Sequence, residues 1–548
     1  MKVYAGITIG PIVEVLCETS TPAALWFGSS MFSDITRRLC GSINKEWTGV
    51  KIYSPYFDAE SATEYPNDGV GKYHDRIIFS IEDQESTDEE AFVADIRFKL
   101  KTIVSGVITG TLNIFPDTLF GESGNSAYEE KIRKAKEFLE QYLQIHFVVV
   151  KAEKIKGNAV LALSPYLDEL ELMKSFPSTS QQNIIVDLFG RMRTSENTPS
   201  GVNDLIRKSA LFKAISKENN GFLKDKRFRT LSDIANADND LEKKYSNYYA
   251  IVTADGDGMG RFLNSITTDE VTTFSKRCLE YNKIAAEAVI QYGGMPIYAG
   301  GDDLLFIAPV MGSGEAGKRK YIFELCHDIN EKFRSQIKSS ENATDEIKFE
   351  KVPTVSFGIA IRYYKYPLYE AFADSRSLLE NIKYKENGPE KNSIAIGLQK
   401  HSGQSLTIYV GNEAINTFKK FFELESSDSQ MVNSLLYNLG NFSVLFKNAY
   451  KKTKDDPNNS KAQFLNVWKN TYDNSGQKAY LPYVLGIADI FFDRFIIEKP
   501  RIKSYEDDSS EIDNEKESSL GNGTNCLTVL KDILKLKKFY VEKAGERE

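Results

Sequence analysis

Along the first 150 residues, short apolar runs alternate with stretches in which apolar side chains recur every three or four positions. Residues 3–12, 51–56 and 76–81 read as strands and residues 23–39 and 90–112 as amphipathic helices, while a helix over 129–142 runs into the continuous apolar strand 146–150. This order predicts a ferredoxin-like unit, an antiparallel sheet covered by helices on one face. A second block repeats the pattern: strand 249–254, helix 271–292, a hairpin from 295–299 and 304–309, helix 317–337, strand 352–363, helix 368–383 and strand 393–398. The expected fold class is α+β, with two palm-like domains over 1–150 and 246–402. Between them, 151–245 is richer in polar residues and turn formers and reads as a middle domain with a helix at 184–192. After 402 the pattern turns helical, with helices expected at 412–422, 429–450, 460–472 and 480–497 in a C-terminal domain over 403–548. Residues 505–525 are acidic, Ser/Gly-rich and almost free of apolar side chains, hence a linker, and a basic amphipathic helix over 527–543 follows, its charge read as a solvated face.

Composition narrows the partners. With 548 residues, 41% hydrophobic and 12% aromatic, the chain fills several cores, and wholesale disorder is excluded. Lys and Arg number 69 against 77 Asp and Glu, a net charge of -8, which speaks against a stand-alone nucleic-acid binder with a basic surface. Phosphate chemistry must come from local sites or from partners. The five cysteines, Cys17, Cys40, Cys278, Cys326 and Cys526, are odd in number and form no C-x-x-C pair, so neither a disulfide framework nor a zinc ribbon is expected. A reducing cytoplasm fits. The apolar opening is broken by Gly6, Gly10 and Pro11, and no run of 18 apolar residues occurs, so neither export nor membrane insertion is expected.

Two acidic groups then stand out. Strand 249–254 runs into Asp255-Gly256-Asp257-Gly258-Met259-Gly260, and the hairpin of the same block has Gly300-Gly301-Asp302-Asp303 at its tip. Carboxylates converging at the ends of buried strands repel one another unless a cation neutralises them. Hard oxygen donors suit Mg²⁺ or Mn²⁺ held together with substrate phosphates, the arrangement of two-metal in-line displacement. Gly300 and Gly301 permit positive φ and leave room for a nucleotide, and Gly256, Gly258 and Gly260 let main-chain N–H groups approach a triphosphate. Either motif alone is an ordinary Gly/Asp turn. Their pairing within one palm is what points to chemistry. A calcium loop is excluded, because its fifth position is Met259 and its twelfth is not Glu.

The combination TADGDGMG, YAGGDDLLF and VSFGIAI, followed by ADSRSLLENIK and NSIAIGLQKHSG, resembles the polymerase/cyclase palm of the large subunit of type III CRISPR effector complexes. The opening ITIGPI with ALWFGSSMFSDI resembles the first palm of that subunit, most closely in the type III-B (Cmr) branch. The resemblance implies that Asp255, Asp302 and Asp303 are catalytic and hold Mg²⁺ or Mn²⁺, with the Gly256 carbonyl as a further ligand. It implies that the nucleotide meets Asp257, Gly258, Met259, Gly260, Gly300 and Gly301, that Ser356 and Lys383 lie near base and phosphates, and that Ser29, Ser30 and Ser33 face a second nucleotide. ATP is then the substrate and the product an adenylate second messenger, either cyclic oligoadenylate or an AMP conjugate of S-adenosylmethionine. Expected partners are the other effector subunits, guide CRISPR RNA and target RNA.

Departures from the family pattern matter too. Many relatives begin with an HD nuclease domain, whereas this sequence opens at the palm; its HD dipeptides, His74-Asp75 and His327-Asp328, lie elsewhere, so no HD-type DNase is expected. Relatives carry a cysteine-ligated zinc in the middle domain, but no cysteine lies between Cys40 and Cys278, so no zinc is expected. Two rival readings stand beside this one: a stand-alone GGDEF or adenylyl-type cyclase, and a non-catalytic scaffold subunit.

Overall fold

In the computed structural model, the described residues are 1–58, 70–84, 88–120, 126–173, 183–195, 230–237, 242–314, 318–338, 349, 351–384, 391–424, 429–446, 448, 456–472, 481–491, 502–504 and 523–543. The first palm contains β1 (Lys2–Gly10), the short helix α1 (Ile12–Cys17), α2 (Pro22–Glu46), β2 (Val50–Ser54), β3 (Arg76–Glu82), α3 (Glu89–Thr111), α4 (Ser126–Tyr142) and β4 (Gln144–Lys151). Its sheet has the order β2-β3-β1-β4, antiparallel throughout, which is the ferredoxin-like order. The first strand ends at Gly10 rather than at 12, because Pro11 cannot donate to a ladder and α1 begins immediately after it. Thr21 caps α2, its hydroxyl accepting the Ala24 N–H at 3.1 Å, with Pro22 in the first turn.

The expectation that helices cover only one face of this sheet is corrected by the middle segment. Val3, Ala5, Ile7 and Ile9 of β1 join the core shared with α2. The opposite face is covered by α5 (Ala159–Glu171), whose Leu167 methyl group stands 3.1 Å from where Gly6 would carry a Cβ. The Thr8 hydroxyl donates to Glu171 at 2.6 Å, and Arg76 donates to Ser164, Asp168 and Glu171. Two further helices of the middle segment are α6 (Ile184–Ser195), whose Phe189 meets α2 at Gly28, and α7 (Leu231–Ala235).

The second palm comprises β5 (Tyr248–Asp257), α8 (Met259–Asn264), α9 (Thr268–Tyr292), β6 (Met295–Gly300), β7 (Asp303–Pro309), the small hairpin β8 (Met311–Ser313) and β9 (Arg319–Tyr321), α10 (Ile322–Lys338), β10 (Thr354–Tyr363), α11 (Leu368–Tyr384) and β11 (Ser393–Gln399). Helix α9 starts in a capping box between Thr267 and Glu270 and ends at Gly293, whose φ is 102°. Helix α10 begins at 322 rather than 317, because 319–321 pair with 311–313. Within the larger sheet, β10-β5-β7-β6 repeat the order of the first palm, and β10 and β11 run parallel because α11 crosses between them.

The reading of a purely helical tail is also corrected. Strand β12 (Ser405–Gly411) pairs antiparallel with β11, and β13 (Ile502–Ser504) pairs with β12, so the chain after 402 extends the sheet of the second palm. Residues 405–411 (SLTIYVG) carry a period-two pattern that the strand uses. Helices α12 (Ile415–Glu423), α13 (Ser429–Asn441), α14 (Pro457–Tyr472), α15 (Leu481–Ala488) and α16 (Gly523–Val541) complete the tail. Residues 523–525, read as linker, open α16, and 505–522 lie outside the described residues.

The palms interlock reciprocally. Helix α2 of the first packs on β6 of the second, and α9 of the second packs on β2 of the first. Lys51 pairs with Asp269 at 2.6 Å, and the Tyr56 N–H donates to the Ser275 hydroxyl at 2.6 Å. This reciprocity buries α2 on nearly all sides.

Candidate active site

The antiparallel pairing of β5 with β7 brings the two acidic motifs to one end of the sheet. Gly300 pairs with Asp303 across the β6–β7 turn, and Gly301 at its tip has φ of 66°, a conformation that costs glycine nothing and other residues much. Asp302 folds over the end of β5 so closely that a Cβ on Gly256 would overlap its carboxylate. Gly256 is therefore required by the approach of an acid, a role the sequence did not disclose. Gly258, with φ of 72°, turns the chain into α8, and nothing crowds Gly258 or Gly260.

One cation already stands among these acids. The Lys383 ammonium lies 2.6 Å from the Asp255 carboxylate and 3.6 Å from Asp257, and it donates to the Gly256 carbonyl, with its side chain only 5% exposed. Loss of solvent in the pocket, followed by repulsion from Asp255, lifts the Asp302 carboxyl to about 6. Asp303 keeps one flank open to solvent, yet desolvation on its pocket side, then Asp302, Asp255 and Asp75, push it upward as well.

Two sets of expected nucleotide contacts are corrected. Ser356 is fully buried beneath Asp257: its hydroxyl donates to that carboxylate at 2.7 Å and accepts the N–H groups of Asn392 and Ser393. Thr354 and the Asn392 N–H also bind the same Asp257 oxygen, at 3.0 and 2.9 Å. Ser356 and Asp257 thus anchor β10 and β11 to β5 rather than present groups to a ligand. Ser29, Ser30 and Ser33 are buried as well. Ser33 accepts the Tyr73 N–H at 2.9 Å, and Gly71 presses on it, so this face of α2 meets residues 70–73 instead of an open groove.

Between the palms lies a cavity of about 280 Å³, lined by Asp302, Asp303, Gly301 and Met259 on one side and by His74 and Asp75 on the other. Sequence reasoning left His74-Asp75 beside a first-palm strand, away from the chemistry. The signal that finds it is the internal repeat: the β2–β3 connection occupies in the first palm the place that the GGDD turn occupies in the second. Burial, then the Arg76 guanidinium, lowers the His74 ring to about 4, and the Arg76 N–H donates to its Nδ1 at 3.4 Å. His327-Asp328 lies on α10, where His327 meets Asn412 and Asp328 pairs with Lys320.

The donor set fits a divalent cation in part. Asp255, the Gly256 carbonyl and Asp302 share one strand end, and an ammonium ion is already drawn to two of them. Among the described residues, no three His, Cys, Asp or Glu side chains stand together as a ready-made cage. Substrate phosphates would have to complete the coordination, as Mg²⁺ sites ordinarily require.

Comparison with known proteins agrees with the assignment of a palm domain. Residues 248–395 match the family model Cas10/Cmr2, second palm domain. The second palm is Cas10/Cmr2-like. Its match to the CRISPR system Cmr subunit Cmr2 of Pyrococcus furiosus is 31% identical over 197 residues, covering 31% of this chain and 21% of that protein. The match therefore spans about a fifth of the curated relative's length. In fold, the chain is similar to a chain of a type III-B Cmr-beta assembly in its apo state, with a TM-score of 0.52 at 12% identity, over 85% of this chain and 77% of that one. A chain of Cmr-beta bound to cognate target RNA gives a TM-score of 0.51 at 12% identity, over 81% and 76%. Among the described residues, no helix is long and apolar enough to cross a membrane.

Proposed function

We propose that this chain is a subunit of an RNA-guided type III CRISPR effector complex in antiviral defence, and that its second palm is a target-RNA-activated nucleotidyltransferase using ATP. The observation that carries the reading is the convergence of Asp255, the Gly256 carbonyl and Asp302 at one strand end of a Cas10/Cmr2 palm, beside a turn that presents Asp303 to a cavity.

In the proposed reaction, the 3′-hydroxyl of one ATP attacks the α-phosphate of another; the new P–O bond forms as the bond to pyrophosphate breaks, and the hydroxyl proton passes to solvent water. Asp255, Asp302, Asp303 and the Gly256 carbonyl would hold Mg²⁺ or Mn²⁺, which would supply Lewis-acid activation of the hydroxyl and charge stabilisation of the leaving group. Lys383 moves its ammonium from Asp255 to a substrate phosphate as a charge-assisted donor. Ser356 and Asp257 keep β5 in register. Other effector subunits, guide RNA and target RNA supply the recognition that an acidic chain lacks. The test incubates the assembled complex with ATP, Mg²⁺ or Mn²⁺ and matching target RNA, with and without S-adenosylmethionine, and identifies products by mass. Cyclic oligoadenylate or an AMP conjugate is expected, abolished by Asp302→Ala with Asp303→Ala. The absence of any adenylate product under all conditions would leave the scaffold role instead.

A further inference from the structure

The first palm's β2–β3 connection carries an HD dipeptide that the proposed reaction does not use, and its residues 70–76 run along the catalytic hairpin. Gly71 bridges to Tyr298 in parallel sense, and its carbonyl accepts the Ala299 N–H at 3.0 Å. The same stretch leans on α2: the Tyr73 N–H donates to the Ser33 hydroxyl at 2.9 Å, and a Cβ on Gly71 would stand 2.9 Å from the Ser33 Cβ. Three residues beyond Gly71, the stretch reaches the GGDD turn. The His74 Cδ2 lies 3.5 Å from where Gly301 would carry a Cβ. Gly301 is the positive-φ residue of that turn, so its backbone setting decides where Asp302 and Asp303 project.

His74 is held from behind. Its Nε2 is hydrogen-bonded to the Ser54 hydroxyl at 2.9 Å, and its Nδ1 accepts the Arg76 N–H. Arg76 in turn is tied to α5 through Ser164 at 3.1 Å, Asp168 at 2.6 Å and Glu171 at 2.9 Å. Both ring nitrogens are engaged within the first palm, which leaves a carbon edge toward Gly301. A ring held this way acts as a wedge, not as a base or a ligand.

We propose that residues 70–76 are a strap that positions the GGDD turn, with His74 as the positioning residue that sets Gly301 and, through it, Asp302 and Asp303. The inference rests on the reading of those acids as the groups that hold cation and phosphate. Its consequence is that the first palm governs turnover without donating a ligand. A displacement of α2 reaches the acids through Ser33 and Tyr73, and a displacement of α5 reaches them through Arg76 and His74. Any subunit that moves either helix therefore changes the catalytic geometry.

The test compares His74→Ala, His74→Gln and Ser33→Ala in the full-length chain, by amide hydrogen exchange over residues 299–304, and in the assembled complex, by turnover. His74→Ala is expected to speed exchange at the turn roughly tenfold and to lower kcat ~100-fold, the scale on which a misplacement of about 1 Å acts, with the KM for ATP within about twofold. His74→Gln keeps a donor for Ser54 and fills the space, so it restores most of both. Ser33→Ala removes only the acceptor for Tyr73 and speeds exchange at Ala299, which keeps the idea testable should His74→Ala fail to fold. Wild-type exchange in both alanine variants overturns the proposal. So does a His74→Gln variant as slow as His74→Ala with undisturbed exchange, since His74 would then act chemically. If the wild-type complex makes no nucleotide product, the function reading fails, while the exchange measurements still decide on the strap.

Discussion

At the scale of single residues, the site is governed by how closely charge and backbone are allowed to approach. Gly256 admits the Asp302 carboxylate, and no larger residue leaves that space. Gly256→Ala is therefore expected to push Asp302 out of place and to weaken Mn²⁺ binding, read by the paramagnetic signal of free Mn²⁺, far more than it lowers the melting temperature. Titration follows the same crowding. Because the Asp302 carboxyl sits near 6, above its ordinary value, it takes up a proton as pH falls through about 6, and the cation then competes with that proton. Mn²⁺ affinity should accordingly fall between about pH 7 and 5, and Asp302→Asn should flatten that dependence; an unchanged slope in the variant would assign the titration elsewhere. The gathering of Asp255, Asp302 and Asp303 at one end of the sheet was legible in the sequence, because each acid directly follows or precedes an apolar strand, where an unpaired carboxylate is costly. Ser356 and the α2 serines were misread for the opposite reason. A hydroxyl looks the same in sequence whether it faces a ligand or, as Ser356 does, a buried carboxylate.

At the scale of elements, periodicity found nearly every strand and helix of both palms but could not assign them to layers. Helix α5 illustrates the gap: residues 151–245 read as a polar, turn-rich middle domain, and only the structure shows that Leu167 lands on Gly6 of β1. Leu167 is 1% exposed, so Leu167→Ala is expected to cost about 2–5 kcal/mol, the usual range for such a truncation, measured by denaturant unfolding. A cost below about 0.5 kcal/mol would mean that α5 is not part of the first palm's core. The short strands β8, β9 and β13 escaped because three residues carry too little period to register. Strand β12 was passed over for a different reason. It follows a glycine-containing turn at 401–404, which reads equally well as the end of a domain.

At the scale of the whole molecule, the two palms meet around a pocket whose ionisable groups respond to acid in opposite senses, and that opposition is measurable. His74 has a folded-state value near 4, below the 6.5 of the free ring, so the unfolded chain binds the extra proton more readily between these values. Its contribution favours the folded state fully above about pH 6.5 and is lost as pH falls toward 4. Asp302 is shifted upward, so between about pH 6 and 4 its folded form binds a proton more readily than the unfolded one, and its protonation favours folding as pH falls; the upward shift of Asp303 acts in the same sense. The total stability of the chain therefore hides both effects, but the difference between wild type and His74→Gln isolates one. The wild type should lose stability relative to the variant as pH is lowered from about 6.5 to 4, in chemical unfolding followed at both palms. The two curves should run parallel above pH 7, where the ring is neutral in both states. A constant difference across the whole range would show that the His74 ring is no less basic in the folded chain than in water, and that the interface around it is open to solvent.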